Sequence, residues 1–113
     1  MSDYMRQYKR NLRAMDKISK ATPQPGEVWW VSNLDGIKDR PVLIFGHDGN
    51  GYYFRKCTSQ FSISRPYDII EDYYDAGLDK STYVDPEMRL IGRSRLVRKM
   101  GELSEFDRGK FFQ

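Results

Sequence analysis

Residues 38 to 60, KDRPVLIFGHDGNGYYFRKCTSQ, constrain the fold more than any other stretch. Two runs rich in β-branched and aromatic residues, RPVLIF (40–45) and YYFRKCTS (52–59), flank GHDGNG. That central cluster is made of residues that tolerate positive φ and form tight turns. The pattern predicts an antiparallel hairpin. Pro41 has no N–H to give to a ladder, so it belongs at the start of its strand or on an edge. A turn centred on Gly49 pairs Ile44 with Phe54, Val42 with Lys56 and Arg40 with Thr58. Directly opposed residues share a face, with Cβ atoms about 5 Å apart. A two-residue turn at Asp48-Gly49 instead pairs Arg40 with Cys57, and one at Gly49-Asn50 pairs it with Ser59. Periodicity alone does not choose among the three registers.

The remaining segments build around this hairpin. Met5, Tyr8, Leu12 and Met15 recur at helical spacing, predicting an amphipathic helix over 2–20 that the prolines of ATPQPG stop. EVWWVS (27–32) reads as a strand and NLDGIKD (33–39) as a loop. Trp29 and Trp30 are adjacent, so a strand points them to opposite faces. One is expected in the core and the other packed at an edge, the alternatives being the surface, an interface or a nucleobase. YDIIEDYYDAG (67–77) reads as irregular, STYV (81–84) as a short strand, and RLIGRSRLVRKM (89–100) as one or two short strands around Gly92. In LSEFDRGKFF, Ser104 followed three residues later by Asp107 has capping-box spacing, predicting a final short helix. The organisation is an N-terminal helix and linker over 1–22, then one domain over 23–113. That domain is mostly β with peripheral helices, a small, strongly bent sheet or partly open barrel.

The chain of 113 residues has room for one modest core. Its 39% hydrophobic and 31% charged residues are ordinary for a globular protein. No apolar run approaches the roughly 20 residues of a bilayer span, and MSDYMRQYKRNLRAM has no apolar signal core. A single cysteine forms no internal disulfide. These features predict a cytoplasmic protein without a membrane segment. The net charge of +3 permits a polyanionic partner without requiring one. Residues 89–99 carry five bases and no acid, whereas 68–79 carry five acids and no base.

Several chemistries are excluded. His47 is the only histidine, so a two-histidine ribonuclease mechanism is not available. One histidine and one cysteine do not make a zinc site. The acids of 68–79 lack calcium-loop spacing, and GHDGNG lacks the Lys-Ser/Thr of a phosphate loop. No cofactor or metal is expected. Cys57 reads as a small buried hydrophobe. On the register centred on Gly49, a guanidinium and a hydroxyl, those of Arg40 and Thr58, stand at the mouth of one hairpin. Such a pair suits a phosphodiester: the guanidinium fork matches phosphate oxygens, and the hydroxyl adds a donor for the extra charge of a pentavalent transition state.

GEVWWV, RPVLIF, KCTSQ, AGLDKSTYVD and LVRKMGELSEFD follow one another in the order seen in the PemK/MazF-like toxin family, which the chain resembles over roughly residues 25–112. The resemblance implies an SH3-like, strongly curved β-barrel with peripheral helices. It implies the toxin of a toxin–antitoxin pair, a metal-independent endoribonuclease cleaving single-stranded mRNA to 2′,3′-cyclic phosphate and 5′-hydroxyl ends. It assigns Arg40 as proton-transfer group and phosphate clamp and Thr58 as transition-state donor. A homodimer mate and an antitoxin protein are the implied partners, with DNA reached only through the antitoxin. Ser59, Gln60, Arg55, Lys56, Arg93 and Arg95 are the candidate RNA-binding residues. SNLDGIKD is shorter than the family's loop before the arginine and lacks its Gly-Ser-Glu. A catalytically inactive RNA- or protein-binding module of the same fold is therefore the alternative.

Overall fold

The hairpin forms the middle of the sheet. In the computed structural model, which describes residues 21–32, 39–60 and 66–112, its arms are β2 (Arg40–Asp48) and β3 (Gly51–Thr58). Gly49-Asn50 makes a two-residue turn, closed by Asp48 opposite Gly51 and by a 2.7 Å bond from Asn50 N to Asp48 Oδ1. Beyond it His47 faces Tyr52 and Gly46 faces Tyr53, but Ile44 faces Phe54 and Val42 faces Lys56. A bulge at Phe45 absorbs the one-residue difference. Two of the three registers expected from the sequence thus coexist, one at the turn and one at the mouth.

β1 (Glu27–Val31) pairs antiparallel with β2, and on its other side with β7 (Leu96–Glu102). β3 is shared between two short strands. Its first half, Tyr52–Phe54, pairs with β6 (Arg89–Ile91), while Cys57 and Thr58 pair with β5 (Thr82–Val84). β4 (Asp68–Ile70) completes a seven-stranded antiparallel sheet of order β4-β5-β3-β2-β1-β7, with β6 beside β3. The sheet is open, since its terminal strands β4 and β7 are not neighbours. β4 lies inside the segment expected to be irregular. Three residues carry no period of their own, and pairing with β5 is what makes them a strand. The helix expected over 2–20 and most of the loop expected over 33–39 lie outside the described residues. Among the described residues no helix is long and apolar enough to cross a membrane.

Both faces of the central strands are covered. Val28, Trp30, Leu43, Cys57, Ile70, Ala76, Leu78, Val84, Met100 and Leu103 form one apolar cluster. Trp29, Val31, Val42, Ile44, Phe54, Ile91 and Leu96 form a second on the opposite face. Trp29 and Trp30 do point to opposite faces, but neither is at the surface; both side chains are fully buried. With two cores, every residue of β1 is buried. The expectation of one core tryptophan, with the other at an edge or the surface, assumed a sheet with one wet face.

The C-terminal helix, α1 (Glu105–Phe111), begins at Ser104, whose hydroxyl accepts from Asp107 N at 3.2 Å as the capping box predicts. Asp107 does more than cap. Its carboxylate is fully buried and accepts from the backbone N–H groups of Glu71 (3.1 Å) and Asp72 (2.8 Å). This ties α1 to the chain just after β4.

A turn over residues 75–77 packs on β7, where Glu102 N donates to Asp75 O at 3.1 Å. Gly77 there has φ 79°, and an added Cβ would lie 2.0 Å from the Met100 carbonyl oxygen. Left-handed backbone costs about 1–2 kcal/mol for a residue with a side chain, and backbone cannot move aside without breaking the β7 ladder. Gly77→Ala is expected to destabilise the domain by at least about 2 kcal/mol. A urea titration should then show the midpoint falling by about 1 M.

Candidate nucleic-acid interface

The polar groups singled out in the sequence are distributed by strand alternation. Val31 of β1 faces Arg40 of β2. The mouth register of β2 and β3 ends with Val42 opposite Lys56, and continued two residues outward it sets Arg40 level with Thr58. Thr58 in turn faces Tyr83 of β5, and Tyr83 faces Ile69 of β4. On the far side Val31 faces Leu96 of β7. Opposed residues share a face, so Leu96, Val31, Arg40, Thr58, Tyr83 and Ile69 make one row across the sheet. Lys56, two residues before Thr58, lies on the same face one row back. The neighbouring residues Trp30, Cys57 and Val84 all join the cluster on the other face, as the alternation requires.

Arg40 and Thr58 are both half-buried. Thr58 Oγ1 accepts from Gln60 N at 3.1 Å, a short turn that fixes the hydroxyl at the strand end. A hydroxyl that accepts there keeps its own hydrogen to donate. Ser59, half-buried, and Gln60, exposed, follow directly. Lys56 is half-buried as well. Arg95 is half-buried, and its carbonyl accepts from Ser32 N at 3.3 Å. It therefore lies just beyond the end of β1 that bears Val31, at the same end of the sheet as Arg40. Its Nη1 is buried and has no hydrogen-bond partner among the described residues.

Two candidates are committed elsewhere. Arg55 has the parity of Cys57 and projects to the opposite face from Thr58. Its Nε donates to Asp85 O at 2.6 Å, its Nη2 pairs with Asp68 at 2.7 Å, and its guanidinium lies 5.5 Å from the ring centres of both Phe45 and Phe111. Only 12% of its side chain is exposed, so Arg55 clasps β3, β4, β5 and α1 instead of facing solvent. Arg93, in a 3-10 turn over Arg93–Arg95, donates to Leu96 O and Ala21 O, both at 2.8 Å, and lies over Trp29 at 5.0 Å. Its donors hold the backbone at Ala21 and Leu96 beside the second core.

Cys57 is fully buried in the first apolar cluster. Burial pushes its thiol up to about 12, although Arg55 and Arg40 pull the other way. A thiol this hard to ionise is a poor nucleophile. At pH 8 its alkylation by iodoacetamide is expected to be slower in the native protein than in urea by at least about a hundredfold. Because the folded state holds the proton more tightly than the unfolded chain, this group's contribution to stability is complete below about pH 9 and declines as pH rises towards about 12.

His47 is exposed near the hairpin tip, its ring 5.3 Å from that of Tyr52. Among the described residues no group of three or more His, Cys, Asp or Glu side chains could hold a metal ion. Tyr83 was not among the sequence candidates. STYV is legible as a strand, but nothing local reveals that it pairs with the end of β3. Its ring lies 6.0 Å from that of Tyr67, the residue before β4. No family model matches the chain, and no curated protein matches it.

Proposed function

We propose that the protein is an endoribonuclease of the PemK/MazF-like type, a toxin that cleaves single-stranded mRNA without a metal. The observation that carries this reading is the mouth register of β2 and β3, Val42 opposite Lys56, which continued two residues outward sets Arg40 level with Thr58 on the same face. A phosphodiester above them meets a guanidinium fork from one side and a hydroxyl donor from the other. In the reaction the ribose 2′-oxygen loses its proton and attacks the adjacent phosphorus, and the P–O5′ bond breaks. The departing oxygen takes up a proton, leaving a 2′,3′-cyclic phosphate and a 5′-hydroxyl. Arg40 holds the phosphate and serves the proton transfer, and Thr58 donates to the oxygen on which charge builds. Lys56, Ser59, Gln60 and Arg95, grouped at this end of the sheet, supply further donors along the strand of RNA.

In the same reading the open, bent sheet is an SH3-like barrel left unclosed, the protein works in the cytoplasm as a homodimer, and an antitoxin protein covers the site. Incubation with mixed-sequence RNA in EDTA tests the nuclease: 2′,3′-cyclic phosphate ends are expected, and cleavage that persists undiminished in Arg40→Ala removes the assignment. A second reading, an inactive RNA- or protein-binding module, is favoured by the short segment before Arg40 and by the commitment of Arg55 and Arg93 to structural bonds. RNA binding that weakens steeply with salt while no RNA is cut is its signature.

A further inference from the structure

Three features of the molecule stand outside the roles described so far. Tyr53, Met88 and Leu90 are exposed about the β6 edge, but nothing on that edge indicates what covers them. The buried carboxylate of Asp107 is satisfied by backbone N–H groups and is structural. The third is the pair Tyr67 and Tyr83. Tyr83 is the residue directly opposite Thr58, on the face that carries Arg40. Tyr67 precedes β4, and the two rings lie 6.0 Å apart at 47°. Both are half-buried, and neither belongs to an apolar cluster. The sheet therefore carries, in one row, a guanidinium, a hydroxyl and an aromatic ring braced by a second ring.

We infer that Tyr83, held by Tyr67, is a stacking platform for the base of a nucleotide next to the phosphate held by Arg40 and Thr58. This rests on the nuclease reading and adds to it. Neighbouring strands are about 4.8 Å apart, so one strand step from Thr58 to Tyr83 matches the short distance from a phosphate to its own nucleotide's base. A base can lie on a tyrosine only if it is unstacked from its neighbours and unpaired. Tyr83 thus selects single strands over duplexes at the one place where the backbone is gripped. A ring has the same face for every base, so the platform adds affinity without reading sequence. Its orientation is fixed before binding, because Tyr67 already limits the ring's movement.

The test uses the full chain and a labelled 2′-O-methyl oligoribonucleotide, whose blocked 2′-oxygen prevents cleavage, together with its set of single abasic variants. Fluorescence anisotropy should show Tyr83→Leu binding the intact oligonucleotide about tenfold more weakly than wild type, with Tyr83→Phe restoring affinity to within about twofold. One abasic position should cost wild type about tenfold and cost Tyr83→Leu nothing, a coupling that a merely misfolded variant would not produce. Equal abasic losses in both proteins, or wild-type affinity in Tyr83→Leu, overturn the inference. Arg40→Ala separates the two ideas. If it leaves binding intact while the Tyr83 coupling persists, the phosphate site fails and the platform stands. Absence of binding by wild type overturns both.

Discussion

Arg40→Ala is expected to lower the rate of RNA cleavage by about two to three orders of magnitude, the usual loss when a charged or hydrogen-bonding group is taken from a developing oxyanion. The effect should fall on kcat as well as on KM, since the guanidinium meets more charge in the pentavalent state than in the bound diester. Arg40→Lys should recover little of it. An ammonium keeps the charge but not the planar fork that spans two oxygens. Binding to a non-cleavable oligonucleotide should weaken for all sequences alike, and its salt slope should drop by about one. Thr58→Val removes a neutral donor of similar shape and should cost less, about tenfold to a hundredfold. Arg40 is half-buried at the start of β2, so folding must be watched independently. Cys57 offers the means: it sits beneath the same strand ends, and its continued resistance to alkylation in Arg40→Ala would show that the core is closed.

Asp107→Ala is expected to destabilise the domain by about 3 kcal/mol. Two backbone N–H groups, those of Glu71 and Asp72, lose their acceptor inside the protein, and each unsatisfied donor costs about 1–3 kcal/mol. The Lys110 ammonium, 3.2 Å from the carboxylate, loses its buried partner as well. For a domain of this size the melting temperature should fall by about 12–24 °C. Asp107→Asn should lose about half as much, because its amide oxygen can still accept. Removing the other side of the network is milder. Lys110 also pairs with the half-exposed Glu71, and surface pairs contribute about 0–1 kcal/mol, so Lys110→Met should shift the melting point by no more than a few degrees. Equal losses in Asp107→Ala and Lys110→Met would show that the ion pair, and not the backbone acceptor, holds α1 in place.

The difference between Arg55 and Lys56 illustrates where reading the chain runs out. Both are basic residues of one strand and both were expected on an RNA path. Alternation sends them to opposite faces. Which face is which depends on whether β2 and β3 pair in the register of the turn or in that of the mouth. A bulge at Phe45 decides it, and one extra residue in a hairpin leaves no mark in periodicity. The acidic segment over 68–79 has the same character. Read alone, most of it is irregular. In the fold Asp68 meets Arg55, Asp72 accepts from Ser104 Oγ at 2.6 Å, and Asp75 carries a backbone bond from β7.

Local chemistry was enough for the elements that signal themselves. The β-branched and aromatic runs of β1, β2 and β3, a tight turn within GHDGNG, the Ser104 cap and the burial of Cys57 follow from residues within a few positions of one another. The three-residue strand β4, the second core around Trp29, the clasp at Asp107 and the meeting of Thr58 with Tyr83 do not. Each joins positions far apart in the chain, where the free energy resides in a contact and not in either partner. The single row that carries Arg40, Thr58 and Tyr83 has that origin: each residue type was written in its strand, and only pairing between strands put them side by side.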